Sequence, residues 1–331
     1  MTLIEATNLT KQFSRPDVPP GRFAGIRALV TRSRAVTTAV DNLSLRIAPG
    51  EIVGFLGPNG AGKSTTIKML TGILTPTSGS VVVAGHTPWR HRRLNAQNIG
   101  VVFGQRTQLW YDLPLMDSFE IVRDLYDIDH GIYRRRLAKF SELLELDDFI
   151  STPVRSLSLG QRMRGDLVAA MLHDPRILFL DEPTVGLDVV AKGRIRDFIA
   201  DANIREGTTV ILTTHDMEDV EKLCRRAVII DHGRLLYEGG LNELKTRYAV
   251  HREVVVHCGE FDGRTLSTPF AEIVSADRGQ VVLRFDPREV DAPTVVHDLT
   301  ARYPITDLAV REVRLEDIIR RLYTSRDYVV S

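Results

Sequence analysis

Cysteine is scarce in this chain: of 331 residues only Cys224 and Cys258 are thiols, far apart and in no Cys-x-x-Cys pair. That scarcity excludes a disulfide framework and a thiolate zinc site, and it suits a reducing compartment, the cytoplasm by default. Long apolar runs are missing as well. Nowhere do roughly 18 apolar residues follow one another, so no segment satisfies its backbone across a bilayer as a helix. If the protein serves a membrane, it is expected to do so from outside the lipid. Met1 to Thr10 carries Glu5, Asn8 and Thr10 among its apolar residues; it lacks the basic start and apolar core of a secretory signal and reads as a first strand. An excess of charge of either sign is also missing, because 43 lysines and arginines balance 43 aspartates and glutamates. Bulk charge therefore offers no footprint for nucleic acid, and no nucleic-acid partner is expected. Internal repeats and long low-complexity tracts are absent. What remains is a chain long enough for a properly buried core, with two domains as the expectation.

Apolar runs at Ile52 to Leu56, Val81 to Ala84, Ile99 to Phe103, Ile177 to Leu180 and Val210 to Thr213 alternate with helical stretches and polar turns, the rhythm of an α/β sheet. Between about residues 106 and 165 the pattern changes to charged amphipathic stretches such as Asp117 to Tyr126 and Arg134 to Leu146, which reads as an inserted helical subdomain. A turn at His232 and Gly233 and a short strand close this region, placing a boundary after residue 240. The tail, residues 241–331, offers strands at Glu253 to His257, Glu272 to Ser275 and Val281 to Phe285, a hairpin turn at Asp277, Arg278 and Gly279, and helices at Thr294 to Arg302 and Leu315 to Tyr323. It reads as a small α+β appendage without a chemical motif. Residues 14–36 are arginine-rich, with Arg15, Arg22, Arg27, Arg32 and Arg34 against the single acid Asp17. Pro16, Pro19 and Pro20 are expected to keep the start of this insertion irregular. Phe23, Ile26, Leu29 and Val30 are spaced loosely like one helical face, so a short basic helix on a membrane or partner and a solvated loop both stay open.

Gly57-Pro58-Asn59-Gly60-Ala61-Gly62-Lys63-Ser64-Thr65 fits the phosphate-loop pattern G-x-x-x-x-G-K-[ST] between a strand and a helix start. Its glycines let backbone N–H groups close around a β-phosphate, Lys63 adds a cation for the β- and γ-phosphates, and Ser64 offers a hydroxyl to Mg²⁺. Ile177-Leu178-Phe179-Leu180-Asp181-Glu182 is an apolar strand ending in two acids. Asp181 is positioned to hold Mg²⁺, and Glu182 to accept a proton from an attacking water. An acidic pair at a strand end also serves as a plain helix cap, and Pro183 suits a first helical turn.

The company these segments keep resembles one family. Leu157-Ser158-Leu159-Gly160-Gln161-Arg162 resembles the signature of ATP-binding cassette proteins, with leucine at its third position in place of the usual glycine. Gln105, after Val101-Val102-Phe103-Gly104, resembles the family's glutamine loop; Val185-Gly186-Leu187-Asp188 resembles its aspartate loop; His215, after Val210-Ile211-Leu212-Thr213-Thr214, resembles its switch histidine. The resemblance covers roughly Leu3 to Leu244 and implies an α/β, RecA-like phosphate-loop ATPase core with an antiparallel β subdomain and the helical insertion, using ATP and Mg²⁺. It implies that Ser158, Gly160 and Gln161 complete the ATP site of an opposite subunit, so that two ATP molecules are sandwiched in a dimer with a second copy or a paralogous ATPase. It further implies that His215 contacts the γ-phosphate, that Gln105 senses Mg²⁺ and the water, that Asp188 works across the dimer interface, and that Phe13 stacks on adenine. Serine at a helix start is also an ordinary N-cap, and an aspartate at such a turn also shapes it.

Phe103-Gly104-Gln105-Arg106, Leu159 and the Leu315-Glu316-Asp317 helix resemble bacterial exporter ATPases of the type-2 class. That resemblance implies separate integral-membrane permease subunits, a peripheral place on the cytoplasmic face of the inner membrane, and export of a drug-like or toxic compound. An importer ATPase, or a soluble cassette ATPase acting on ribosomes or DNA, would share the nucleotide motifs. Phosphate-loop kinases and GTPases lack the signature segment, and no Asn-Lys-x-Asp guanine reader occurs here.

Overall fold

The structure is a computed structural model that describes residues 2–16, 34–104, 106–248, 251–258, 266–277 and 279–325. The chain divides into two compact units, Met1–Gly239 and Gly240–Asp327. In the first, the strands are β1 (Ile4–Pro16), β2 (Arg34–Ile47), β3 (Ile52–Leu56), β4 (Ser78–Val83), β5 (Ile99–Phe103), β6 (Ile177–Asp181), β7 (Thr209–Thr213), β8 (Arg226–Asp231) and β9 (Arg234–Gly240). Its helices are α1 (Lys63–Leu70), α2 (Arg92–Asn98), α3 (Leu115–Leu125), α4 (His130–Leu144), α5 (Leu159–Met171), α6 (Val189–Glu206) and α7 (Met217–Leu223).

β1, β2 and β4 form an antiparallel sheet of order β2-β1-β4, and the other six strands a sheet of order β5-β6-β7-β3-β8-β9. β5, β6, β7, β3 and β8 run parallel. Ile177 to Leu180 and Thr209 to Thr213 are buried throughout, which is why these strands read as continuous apolar runs rather than alternating ones: both faces of a parallel sheet are covered. The parallel register aligns Phe103 with Asp181 and Asp181 with Thr213, so the chain leaves β5, β6 and β7 at one edge. β3, paired to β7, leaves at the same edge and turns into α1. Ligands of open α/β sheets bind outside such carboxyl ends.

Residues 106–165 hold α3, α4 and the start of α5. Asp129 caps α4 by accepting from the N–H groups of Gly131 and Ile132, and Phe140 of α4 meets Phe198 of α6 edge-on, ring centroids 5.4 Å apart.

The arginine-rich insertion is narrower than its composition suggests. Ser14, Arg15 and Pro16 continue β1 and pair with Val36, Ala35 and Arg34. Pro16 fits a strand there because the pairing of β1 with β4 stops at Thr10, leaving β2 as its neighbour and no second ladder to interrupt. Residues 17–33, including the suggested helical face, lie outside the described residues.

The second unit holds α8 (Leu241–Tyr248), β10 (Arg252–His257), β11 (Glu272–Asp277), β12 (Gln280–Phe285), α9 (Ala292–Arg302), β13 (Asp307–Glu312) and α10 (Leu315–Ser325). Its antiparallel sheet has the order β11-β12-β10-β13. Val254, Val256, Val281 and Leu283 pack with Val295 and Leu299 of α9. Asp277 pairs with Gln280 across the expected hairpin turn, and Gly279 has a φ of 78°; Arg278 lies outside the described residues. α2, α6, α7, β8, α8 and β13 have no counterpart among the individual elements named from sequence.

Candidate functional site

Residues 57–65 bend from β3 into α1 through two left-handed glycines, Gly60 (φ 83°) and Gly62 (φ 105°). A Cβ on Gly57 would lie 2.5 Å from the carbonyl oxygen of Ile230, and one on Gly62 2.4 Å from that of Ala39, whereas Gly60 faces open space. The loop is thus wedged from behind at Gly57 and Gly62, and a side chain there would displace backbone. No side chain caps the start of α1, where Gly62 stands at the N-cap, leaving its first N–H groups for an anion. Lys63 is buried and folds back over the loop, donating to the carbonyls of Gly57 at 2.6 Å and Pro58 at 3.1 Å. Burial pulls its pKa below the ordinary lysine value, while the nearby Glu182 and Asp181 carboxylates work in the other direction.

The exits of β6 and β7 meet this loop. Ser64 Oγ donates to Asp181 Oδ2 at 2.9 Å, and Thr213 Oγ1 donates to Asp181 Oδ1 at 2.6 Å. The Glu182 N–H is shared between Thr213 O at 2.9 Å and Thr213 Oγ1 at 3.1 Å. Thr213, which sequence reasoning treated only as the end of a strand, therefore holds both acids. Glu182 has a left-handed φ of 56°, a conformation that a non-glycine residue keeps only when its surroundings over-determine it. Its Oε1 lies 3.5 Å from His215 Nδ1, beyond a formed hydrogen bond and within reach of one. The two side chains are accessible, His215 more so than Glu182.

Gly104 brings β5 against the same exits, with its N–H donating to Asp181 O at 2.8 Å and no room for a Cβ against the carbonyls of Asp181 and Glu182. Gln105 lies outside the described residues. Just beyond it, Thr107 Oγ1 and the Gln108 N–H both donate to Asp166 Oδ1 of α5, at 2.9 and 3.0 Å, and Gln108 Nε2 donates to Asp166 O at 2.9 Å. Burial raises the Asp166 pKa to about 6 against the pull of these hydrogen bonds. Asp166 was missed from sequence; a lone acid among the apolar residues of α5 was the available signal.

A second group of residues gathers at the start of α5. Ser158 is its N-cap, and a capping box forms: Ser158 Oγ accepts from Gln161 N at 3.2 Å, while Gln161 Oε1 accepts from Ser158 N at 2.9 Å. Leu159 is not left-handed, so its backbone conformation makes no demand for glycine. It is exposed and lies beside the turn at Gly186, which has a φ of 73°. Asp188 caps α6, its Oδ1 accepting from Ala191 N at 2.8 Å. Ser158, Gly160, Gly186 and Asp188 line one open depression. Phe13 stands apart from both groups on β1, paired with Thr37; the residue is 43% exposed, and Lys11 Nζ lies 5.3 Å from its ring centroid.

Comparison with known proteins adds four findings. The family described as "ABC transporter" matches residues 40–185. A Nod factor export ATP-binding protein of Ralstonia nicotianae is 33% identical over 320 residues, 93% of this chain and 98% of that one. A daunorubicin resistance ATP-binding protein of Streptomyces coeruleorubidus is 34% identical over 86% of this chain and 90% of that one. Among solved structures, an ATP-binding cassette seen as a dimer in a post-hydrolysis state with ADP and phosphate superposes with a TM-score of 0.60 at 25% identity, over 72% of this chain and 98% of that one.

Proposed function

The chain belongs to the ABC transporter family, in which it is an ATP-binding and ATP-hydrolysing subunit, and from that premise we propose that it powers export of a drug-like or toxic compound through separate permease subunits. The observation that carries the catalytic part is the meeting of Ser64, Asp181, Glu182 and His215 at adjacent strand exits. The uncapped start of α1 and the N–H groups around Gly60 suit the β- and γ-phosphates. Lys63 supplies the cation beside them, releasing its two loop carbonyls as it turns to phosphate oxygens.

Ser64 Oγ and Asp181 form a pair of hard oxygen donors, and no cluster of three carboxylate, imidazole or thiol groups occurs among the described residues. That donor set suits Mg²⁺, which keeps water and phosphate oxygens as its other ligands, with Gln105 as a further contributor. Bound there, the ion would neutralise charge on the β- and γ-phosphates. Glu182 takes a proton from the attacking water as its oxygen bonds to the γ-phosphorus; the bond to the bridging oxygen breaks, and ADP leaves with that electron pair. His215, 3.5 Å from Glu182, orients Glu182 and donates to a γ-phosphate oxygen. Phe13 offers an exposed π face to adenine.

Ser158, Gly160, Gln161 and Asp188 act toward the nucleotide of a second copy or a paralogous ATPase. Supporting this, Val189 and Val190 at the start of α6 are exposed at 84% and 63%, next to the depression that Ser158 lines. No helix among the described residues is long and apolar enough to cross a membrane. The family and the export relatives support integral-membrane partners that hold the conducting path, with this subunit peripheral on the cytoplasmic face of the inner membrane. Export follows from the relatives, one described by Nod factor export and one by daunorubicin resistance. The test is to tag the Glu182→Gln protein, hold it with ATP in detergent-solubilised native membranes and identify what co-purifies. A stoichiometric polytopic protein is the expected result; recovery of ribosomes or DNA-bound factors alone would overturn transport and leave the ATPase standing.

A further inference from the structure

Lys192 and Arg196 are four residues apart on α6, so they share a helix face, and both reach across to the segment that follows His215. Lys192 Nζ lies 2.5 Å from Asp216 Oδ2, while Asp216 Oδ1 accepts from Glu218 N at 3.1 Å. Arg196 places Nε 2.5 Å from Asp219 Oδ1 and spans both Glu218 oxygens with Nη1 and Nη2, each at 3.2 Å. The remaining oxygen of Asp219, Oδ2, accepts from Thr184 Oγ1. Asp219, Thr184 and Arg196 are 0%, 1% and 7% exposed. Two cations on one helix thus clamp three acids, and one of those acids holds a threonine; in the chain, Thr184 is two residues past Glu182, and Asp216 follows His215 directly.

We propose that Lys192, Arg196 and Asp219 are positioning residues for hydrolysis, holding the Glu182 loop and the His215 segment at their working separation. The inference rests on the roles given above to Glu182 and His215. A buried ion pair adds little net stability over an apolar packing of the same volume, because desolvation offsets its attraction; what it adds is fixed geometry around a working group. Fixed geometry is what this pair needs. Glu182 keeps a left-handed φ of 56°, held upstream by Thr213 at its N–H and downstream by Thr184 on Asp219. His215 is largely exposed, at 67% of its side chain, so little side-chain packing holds it and the backbone that carries it matters more. Downstream that backbone is fixed by Asp216, whose two oxygens are tied to α6 and to the first turn of α7. A shift of about 1 Å in a reacting group costs on the order of 10²-fold in rate, so loosening one clamp bond reads out in turnover.

The test uses the purified full chain, with Lys192→Met, Lys192→Arg and Asp219→Asn each made alone and in a His215→Ala background. Lys192→Met is expected to lower kcat about tenfold with the KM for ATP within about twofold, and Lys192→Arg to restore most of the loss. Asp219→Asn should lower kcat by about tenfold or more; if that protein fails to fold, the Lys192 pair decides, since Lys192 is at the partly exposed end of the clamp. In the His215→Ala background the Lys192→Met loss should vanish, because a group acting through His215 has nothing left to position. An unchanged kcat in Lys192→Met, or a loss that multiplies undiminished in the His215→Ala background, would overturn the clamp while Glu182→Gln still abolished turnover. Turnover surviving in Glu182→Gln would instead overturn the catalytic reading on which the clamp depends.

Discussion

The parallel sheet of the first unit and the antiparallel sheet of the second both bury rows of valine, leucine and isoleucine, but they dispose of their polar groups differently. In the second unit Glu253, in the middle of β10, lies between Arg284 of β12 at 3.4 Å and Arg311 of β13 at 3.7 Å, each its direct partner in register. Those charges are spent on one another and pin three strands together. At the strand exits of the first unit the polar groups also bond within the chain, yet each could exchange its partner for something larger. Lys63 rests on two loop carbonyls, Ser64 rests on Asp181, and Glu182 and His215 stop just short of each other. A polar group held by a replaceable partner marks a working site; one held by a neighbour in register marks structure.

Substitutions at the exits should break that contrast most. Glu182→Gln keeps the shape of the side chain and removes its proton-accepting oxygen, so steady-state hydrolysis should fall by roughly 10²-fold or more while nucleotide still binds. Near-normal turnover would place the base elsewhere. Lys63→Ala should weaken ATP binding itself by about tenfold or more, since a buried cation beside the phosphates is lost; unchanged affinity in a fluorescent-nucleotide titration would sink the phosphate-loop assignment. In the second unit, Leu283→Ala should cost about 2–5 kcal/mol of that unit's stability, read by denaturant unfolding, with turnover per folded molecule intact. A parallel loss of turnover would show that its core also serves the nucleotide.

These contrasts were unevenly legible in the sequence. β3, β5 and β6 and the phosphate loop could be read because buried parallel strands are unbroken apolar runs and the loop's glycines stand where φ, at Gly60 and Gly62, or close packing, at Gly57, demands them. Ser158 reads as an N-cap at a helix start, and it caps α5; the return bond from Gln161 that completes a capping box was not read from sequence. Thr213, Asp166 and the Asp219 clamp escaped because each works through a partner remote in sequence: 32 residues separate Thr213 from Asp181, 59 separate Asp166 from Thr107 and 35 separate Asp219 from Thr184. Local pattern carries no record of such pairs. The left-handed backbone of Glu182 escaped for a related reason, since glutamate has no preference for it and only the surrounding bonds impose it. β13 and α8 were passed over because charged residues break their short apolar patterns, Asp307, Arg311 and Glu312 in one and Glu243, Lys245 and Arg247 in the other.

The smallest expected effect concerns a polar group that belongs to neither class. Asp166 is buried and bonded like a structural residue, yet it ties α5, which Ser158 caps, to the segment just past Gln105. Its pKa is raised to about 6, chiefly by burial, so the folded protein holds its proton more tightly than the unfolded chain does. The sign follows: its contribution is fully present below the unfolded value near 4 and is lost as pH rises through about 6. Asparagine resembles the protonated form and keeps an acceptor for Thr107 and Gln108. Asp166→Asn should therefore stabilise the protein at pH 7 by up to about 3 kcal/mol, with the advantage shrinking to nothing below about pH 4. Thermal unfolding across that range measures it. A variant less stable than the parent at pH 7 would mean that the ionised carboxylate, through its bonds to Thr107 and Gln108, is what holds the two segments together.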